Sequence, residues 1–351
     1  MTEMNKIFLP ILAAMMMLSS CADFSLSGPA YEIVFEPVSD VMTKGSSAGP
    51  ISGTTFPDNR TVLLSAYYTA QSGDTGSGNY FTDIPFTKYG DPSVWRGGTY
   101  TQQNPKYWPS RGTMNFIALS KENNASGTSL AGTVDHPGSN TAASLRYSMP
   151  DNSSIQDDVM FAYKGAQACS SHDNVALNFQ HAQAQIAVTA ACAVNTGNFG
   201  VSIRGMYLRK AQYSGRVTAT PANNSSVSFS WDNLGSQTAS VAFGTTSGAG
   251  TRLTTSQSSY GKGIMVPAQS PSGAASGIDI YIEYTMHNGY KADGTTADNI
   301  LMTYVYTVPA MTWASSNRYV FSFTFSMNEI SVSASVSSDW GNGGSTAVNV
   351  G

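Results

Sequence analysis

Near its C-terminal end this chain alternates apolar and polar residues with a period of two, which restricts it to β structure. Tyr319, Phe321, Phe323 and Phe325 fall on one face of an extended segment, with Val320, Ser322 and Thr324 on the other. Ile330, Val332, Ala334 and Val336 then alternate with serines. A helix would scatter these residues around its circumference, whereas a strand sends successive side chains to opposite faces. The two runs predict a hairpin closed around Met327-Asn328-Glu329. A second pair is predicted from Ile278, Ile280, Ile282 and Tyr284 with the run 300–308, joined by a long polar connection that leaves the register open. Further strands are expected at 31–36, 61–68, 113–119, 175–179, 185–190 and 201–208, and no segment carries the 3.6-residue period of a long amphipathic helix.

Stretches rich in Gly, Ser, Asn and Thr at 70–79, 122–143, 221–228 and 244–261 read as surface loops. Antiparallel strands with one apolar face need a second sheet to cover it, so the expected architecture is all-β and sandwich-like. The chain of 351 residues suits two such units better than one core. The boundary is expected in the 165–173 region, giving units at 21–170 and 171–351.

At the N-terminus, Lys6 precedes an apolar run from Ile7 to Leu18, followed by Ser19, Ser20 and Cys21. A run this short falls below the roughly 20 residues a helix needs to span a bilayer, so residues 1–20 read as a cleaved signal peptide. Small residues directly before Cys21 form a lipobox, and acyl chains on Cys21 anchor stably because each buried methylene contributes about 0.8 kcal/mol.

Composition narrows the function. A net charge of -4 with 11% charged residues leaves no footprint for nucleic acid. His136, His172, His181 and His287 show no metal-ligand spacing, and Gly244-Thr245-Thr246-Ser247-Gly248 does not match a nucleophile elbow. In a strand, Asp157 and Asp158 would point to opposite faces and could not share a substrate. Gly73 to Gly78 lack the lysine and helix of a phosphate loop. No catalytic residue, metal or cofactor is therefore expected. Trp108, Trp231, Trp313 and Trp340 read as packing residues. The aromatic stretch Tyr67, Tyr68, Tyr80, Phe81, Tyr89, Trp95 and Tyr100 favours adhesion if clustered on the surface and packing if buried. Cys169 and Cys192 either bridge or lie as two buried thiols.

Several short patterns occur in order: the lipobox at Cys21; Tyr31-Glu32-Ile33-Val34-Phe35, then Met42-Thr43-Lys44-Gly45; Tyr107-Trp108-Pro109, leading into Met114-Asn115-Phe116-Ile117-Ala118. Later come Gln156-Asp157-Asp158-Val159-Met160, the run from Val175 to Ala182, Gly263 to Gln269, Trp313, Arg318-Tyr319-Val320-Phe321, Ile330-Ser331-Val332 and Trp340. With these the sequence resembles the fimbrillin-like (Mfa-like) proteins of type V pili. The resemblance implies two consecutive transthyretin-like β-sandwich domains and a lipoprotein that reaches the surface of a Gram-negative outer membrane. It also implies polymerisation with other pilus subunits, as a homo- or heteropolymer. In the strand at 31–36, Tyr31, Ile33 and Phe35 would face the core and complete the edge of the first sandwich. Cleavage after Lys44, or at Arg60, would release that strand and leave a groove for a donor. The donor would come from 330–351, either from Ile330 and Val332, which alternatively close their own domain, or from the tail with Val348 and Val350. The other reading is a tip adhesin or surface lipoprotein that binds host glycan or protein.

Overall fold

The computed structural model describes residues 30–38, 61–88, 95–98, 104–121, 142–148, 153, 156–196, 199–235, 240–245, 248, 250–272, 277–288, 298–337 and 346–348. Their regular structure is all-β, with a short 3-10 turn at Cys169–Ser171. The strands before that turn are β1 (Phe35–Val38), β2 (Thr61–Thr69), β3 (Gly78–Lys88), β4 (Trp95–Gly97), β5 (Thr113–Lys121), β6 (Ala143–Ser148) and β7 (Met160–Ala168). After it come β8 (Val175–Asn178), β9 (Gln180–His181), β10 (Gln183–Cys192), β11 (Phe199–Arg209), β12 (Ser214–Asn223), β13 (Ser226–Asp232), β14 (Ser240–Thr245) and β15 (Thr251–Arg252). The chain ends with β16 (Ser258–Ser259), β17 (Ile264–Pro267), β18 (Asp279–Asn288), β19 (Asp298–Thr307), β20 (Arg318–Phe325), β21 (Ile330–Ser337) and β22 (Thr346–Val348).

These strands form four sheets. The first runs β8-β1-β4-β3-β2-β5-β7-β9, the second β16-β10-β20-β21-β22 with β17 also on β10, the third β14-β11-β18-β19 with β15 on β11, and the fourth β13-β12-β6. The predicted C-terminal hairpin is present. β20 buries every second residue, and its register with β21 runs from Arg318 opposite Ser337 to Phe325 opposite Ile330. Ser326 closes the turn, its amide and its hydroxyl each donating to the Glu329 carbonyl at 2.9 Å. β18 and β19 pair without a break from Asp279 opposite Thr307 to Asn288 opposite Asp298, which fixes the register that the sequence left open. The second and third sheets face each other, with Tyr284 against Phe325 at 5.1 Å and Tyr306 against Phe323 at 5.7 Å between ring centroids. That is the covered apolar face of a β-sandwich.

Two buried clusters form the core, and β5 and β7 contribute to both. Ile117, Leu119, Phe161 and Tyr163 join the larger, C-terminal cluster, while Phe116, Ala118, Met160 and Ala162 join the N-terminal one. This strand pair is thus a wall with a core on each side. Pairing also crosses residue 170 in both directions: β8 and β9 belong to the first sheet, whereas β6 pairs with β12 from Ala143 opposite Ala219 to Ser148 opposite Ser214.

The stretch 221–228, expected as a loop, is mostly hairpin. β12 continues to Asn223 and β13 starts at Ser226, so only Asn224 and Ser225 turn, with the Ser225 amide donating to Asn223 Oδ1 at 2.8 Å. Polar residues hold strand geometry here because the β12–β13 ladder continues through Pro221 opposite Val227 to Asn223 opposite Ser226. We predict that Phe323→Ala destabilises the protein by about 3–5 kcal/mol through the cavity it leaves. Ser331→Ala, at an exposed site on β21, stays within about 0.5 kcal/mol. Chemical denaturation of both variants measures the difference.

Candidate strand-exchange site

The site is built around β1. A strand completing the edge of the first sheet was expected, but β1 lies inside it. On one side it runs parallel to β8, from Phe35 opposite Val175 to Val38 opposite Asn178, and on the other it meets β4 where Phe35 lies opposite Trp95. The physical reason is that both backbone rims find partners. The Val175 amide donates to the Val34 carbonyl at 2.9 Å, while the Ile33 amide donates to the Lys106 carbonyl at 2.7 Å and the Trp108 amide to the Tyr31 carbonyl at 2.8 Å. Gly97 lets the 104–108 segment close in on β4, because a Cβ there would collide with the Asn104 carbonyl oxygen.

Two side chains seat the strand. Ile33 and Phe35 are fully buried, and Phe35 packs edge-on against Phe86 and Phe116 at centroid distances of 4.7 and 5.3 Å. Burying side chains of this kind contributes about 1.5–3 kcal/mol each. Tyr31 departs from the expected inward pattern. It is 47% exposed and stacks on His172 at 3.9 Å, because the chain at this end has passed beyond the core and meets the turn before β8. Polar ties along the rim are looser: Glu32 lies 3.6 Å from Arg96, and Asn174 Nδ2 donates to Glu36 Oε1 at 2.8 Å.

At the other end of the chain, Ile330 and Val332 are half-buried in β21, which β20 pairs along its whole length. Beyond it, among the described residues, β22 forms the sheet margin through three register pairs, Val336 with Thr346, Ser335 with Ala347 and Ala334 with Val348. Cys21, Lys44, Arg60, Trp340 and Val350 lie outside the described residues, as do Tyr89 and Tyr100.

The remaining candidates resolve into packing. Tyr68, Phe81 and Trp95 are buried in the N-terminal cluster, and Tyr67 and Tyr80 are half-buried. Trp108 and Trp313 are buried, and half-buried Trp231 donates through Nε1 to the Ala182 carbonyl at 2.7 Å. Asp157 and Asp158 lie just before β7, both buried, and Asp158 Oδ1 meets His181 Nδ1 at 2.8 Å. Around them the Val159 amide donates to Gln183 Oε1 and the Met265 amide to Gln156 Oε1, each at 2.9 Å. These side-chain bonds tie the segment before β7 to β10 and β17, a role that isolated sequence motifs do not reveal. Among the described residues no group of three or more His, Cys, Asp or Glu could hold a metal.

An all-β sandwich with a short, separately seated first strand is therefore the class of protein in view. The chain belongs to the fimbrillin-like family, whose sequence profile matches residues 44–340. That family is one of structural fimbrial proteins rather than enzymes. The fold is similar to that of a fimbrial protein from Bacteroides vulgatus, at 14% identity over 87% of this chain and 98% of that one, with a TM-score of 0.60. It is also similar to a proposed cell adhesion protein from Bacteroides ovatus, at 13% identity over 88% and 96% of the two chains and a TM-score of 0.52. No curated protein sequence matches.

The bridge considered between Cys169 and Cys192 is not formed. Both thiols are free and buried, one in each cluster. Burial pushes the Cys169 thiol up to about 12 and the Cys192 thiol in the same direction, since a desolvated thiolate is disfavoured. A folded pKa above the unfolded value means that the stabilisation is complete below the unfolded thiol pKa and fades as pH rises from there toward the folded one. We predict that neither thiol reacts with Ellman's reagent at pH 8 until denaturant is added, and that stability declines as pH rises above about 8.5. Time-resolved labelling and denaturation midpoints across pH measure both.

Proposed function

We propose that this protein is a pilus subunit, carried to the outer-membrane surface by lipid on Cys21 and assembled by exchanging β1 for a strand of another subunit. The observation that supports this most is the position of β1. It is a short strand with a backbone partner on each side, seated by Phe35 within it and by Ile33 just before it, and it lies N-terminal to Lys44. Cutting after Lys44 releases β1 together with the lipid. The vacated slot then presents the pockets of Ile33 and Phe35 between the unpaired backbones of β8 and β4, and an incoming strand can satisfy both.

The accepting unit in this proposal extends past residue 170 to His181 and lends β6 to the second unit. The donor is the C-terminal tail. β22 is held by three register pairs, and Val348 and Val350 share the two-residue spacing of Ile33 and Phe35, whereas Ile330 and Val332 sit in a strand paired along its full length. A head-to-tail contact of this kind does not close on itself, so repetition yields a filament. Adhesion to host glycan or protein through the 67–100 aromatics is the weaker reading, because Tyr68, Phe81 and Trp95 are buried.

Low-dose trypsin on the lipid-free chain should produce a new N-terminus at Gly45, loss of β1 and concentration-dependent filaments by electron microscopy. Lys44→Ala should suppress all three. A cut product that keeps its β1 or stays monomeric refutes strand exchange. Separately, Cys21→Ser should abolish incorporation of labelled palmitate and move the protein out of the membrane fraction.

A further inference from the structure

The edge of the third sheet carries an exposed apolar strand whose chemistry matches a second copy of itself. β19 ends that sheet, with β18 on its inner side and no described strand on its outer side. It is ten residues long, Asp298-Asn-Ile-Leu-Met-Thr-Tyr-Val-Tyr-Thr307, and has no Lys, Arg or Pro. Sheet-end strands are normally kept short, charged or interrupted, because a row of free backbone donors and acceptors is a template for another chain. Among the other described ends, β9 and β16 have two residues each, β22 three and β8 four, β14 has a register shift against β11, and the six- and seven-residue β6 and β13 carry Arg146 and Asp232.

Both faces of β19 are unusually apolar for an edge. The register places Ile300, Met302, Tyr304 and Tyr306 opposite Met286, Tyr284, Ile282 and Ile280, on the core side, and Leu301, Thr303 and Val305 on the other. Tyr306 reaches Phe321 and Phe323 of the facing sheet, yet Ile300 and Met302 remain 46% and 36% exposed. On the outer face Leu301 is 60% and Val305 48% exposed.

We infer that two copies of this chain associate through β19, antiparallel about a twofold axis at Thr303, to make one continuous sheet across the pair. In that register Ile300 meets Tyr306 and Met302 meets Tyr304 on the core side, while Leu301 meets Val305 and Thr303 meets its own copy on the outer side. Aromatic with β-branched partners and Thr with Thr are favourable cross-strand pairs. The stretch 299–307 is uncharged, so no like charges meet across the axis. The carboxylate of Glu283 lies opposite Thr303 on β18, which puts its two copies three strand spacings apart, about 14 Å, beyond a Debye length at physiological salt. β19 and β1 lie in different sheets, so this contact is independent of strand exchange and forms while β1 is still in its slot.

The test uses the uncleaved, lipid-free chain from residue 22, which keeps every described element because the described structure begins at residue 30. Sedimentation velocity should show a reversible dimer, and the double variant Leu301→Lys with Val305→Lys, which changes only the outward face, should weaken it by about tenfold or more with an unchanged circular dichroism spectrum. Thr303→Cys should cross-link on mild oxidation, because opposed residues in an antiparallel pair stand about 4.5–5.5 Å apart between Cα atoms, within disulfide reach. Thr307→Cys, also exposed but four residues from the axis, should not. A wild-type chain that stays monomeric, a dimer indifferent to the lysines, or equal cross-linking at both positions overturns the proposal.

Discussion

Main-chain pairing of β1 is the interaction on which the first sheet depends. β8 stands at the end of that sheet, and among the described residues its only ladder partner is β1. On the opposite side β1 meets β4 and the 104–108 segment, so one short strand joins pieces that do not pair with each other. Removing it would leave β8 without a ladder, uncover the Ile33 and Phe35 pockets, and strand buried backbone groups, each costly to leave unsatisfied. On the proposed reading, a structure with this dependence has two stable conditions, the slot filled by its own strand or by another.

What keeps such a slot from collapsing is the double-sided wall of β5 and β7. Phe116 and Met160 face the core that β1 completes, while Ile117 and Phe161 face the larger core that β1 never touches. Loss of β1 therefore removes contacts from one side of a wall that the other side continues to hold. The buried ties among Gln156, Gln183 and the amides of Val159 and Met265 add directional bonds to the same junction. On the proposed reading, a pre-formed acceptor groove is available to a donor at low ordering cost, as preorganisation favours.

The sequence made some of this legible and hid the rest for identifiable reasons. The Tyr319 to Phe325 alternation was readable because one face is buried and the other is not, and the β18 run was readable for the same reason. β10 is buried along nearly its whole length, Gln183 and Gln185 included, because both of its faces are covered, so its polar positions do not mark a solvent face. Alternation also reports which face is buried but not which strand lies alongside, so the interior position of β1 could not be read from Ile33 and Phe35. The same limit hid the pairing of β6 with β12 across residue 170. Tyr31 kept the period but lost the burial, because periodicity carries no information about where a core ends.

The ends of the sheets connect these points. A fold built of strands must dispose of every free edge, and here several are disposed of by brevity, with β9, β16 and β22 too short to template much pairing. β22 is also the strand with the least to lose on leaving, since three register pairs at a margin cost little to break compared with the full-length ladder of β20 and β21. β19 is long, apolar and uninterrupted, and a side chain charge that would blunt it is absent from 299–307. Two kinds of contact between copies are thus separable in one fold. On the two proposals, a slot vacated by β1 would join subunits end to end and a uniform edge would join them side by side, each in its own sheet and each answerable to different residues.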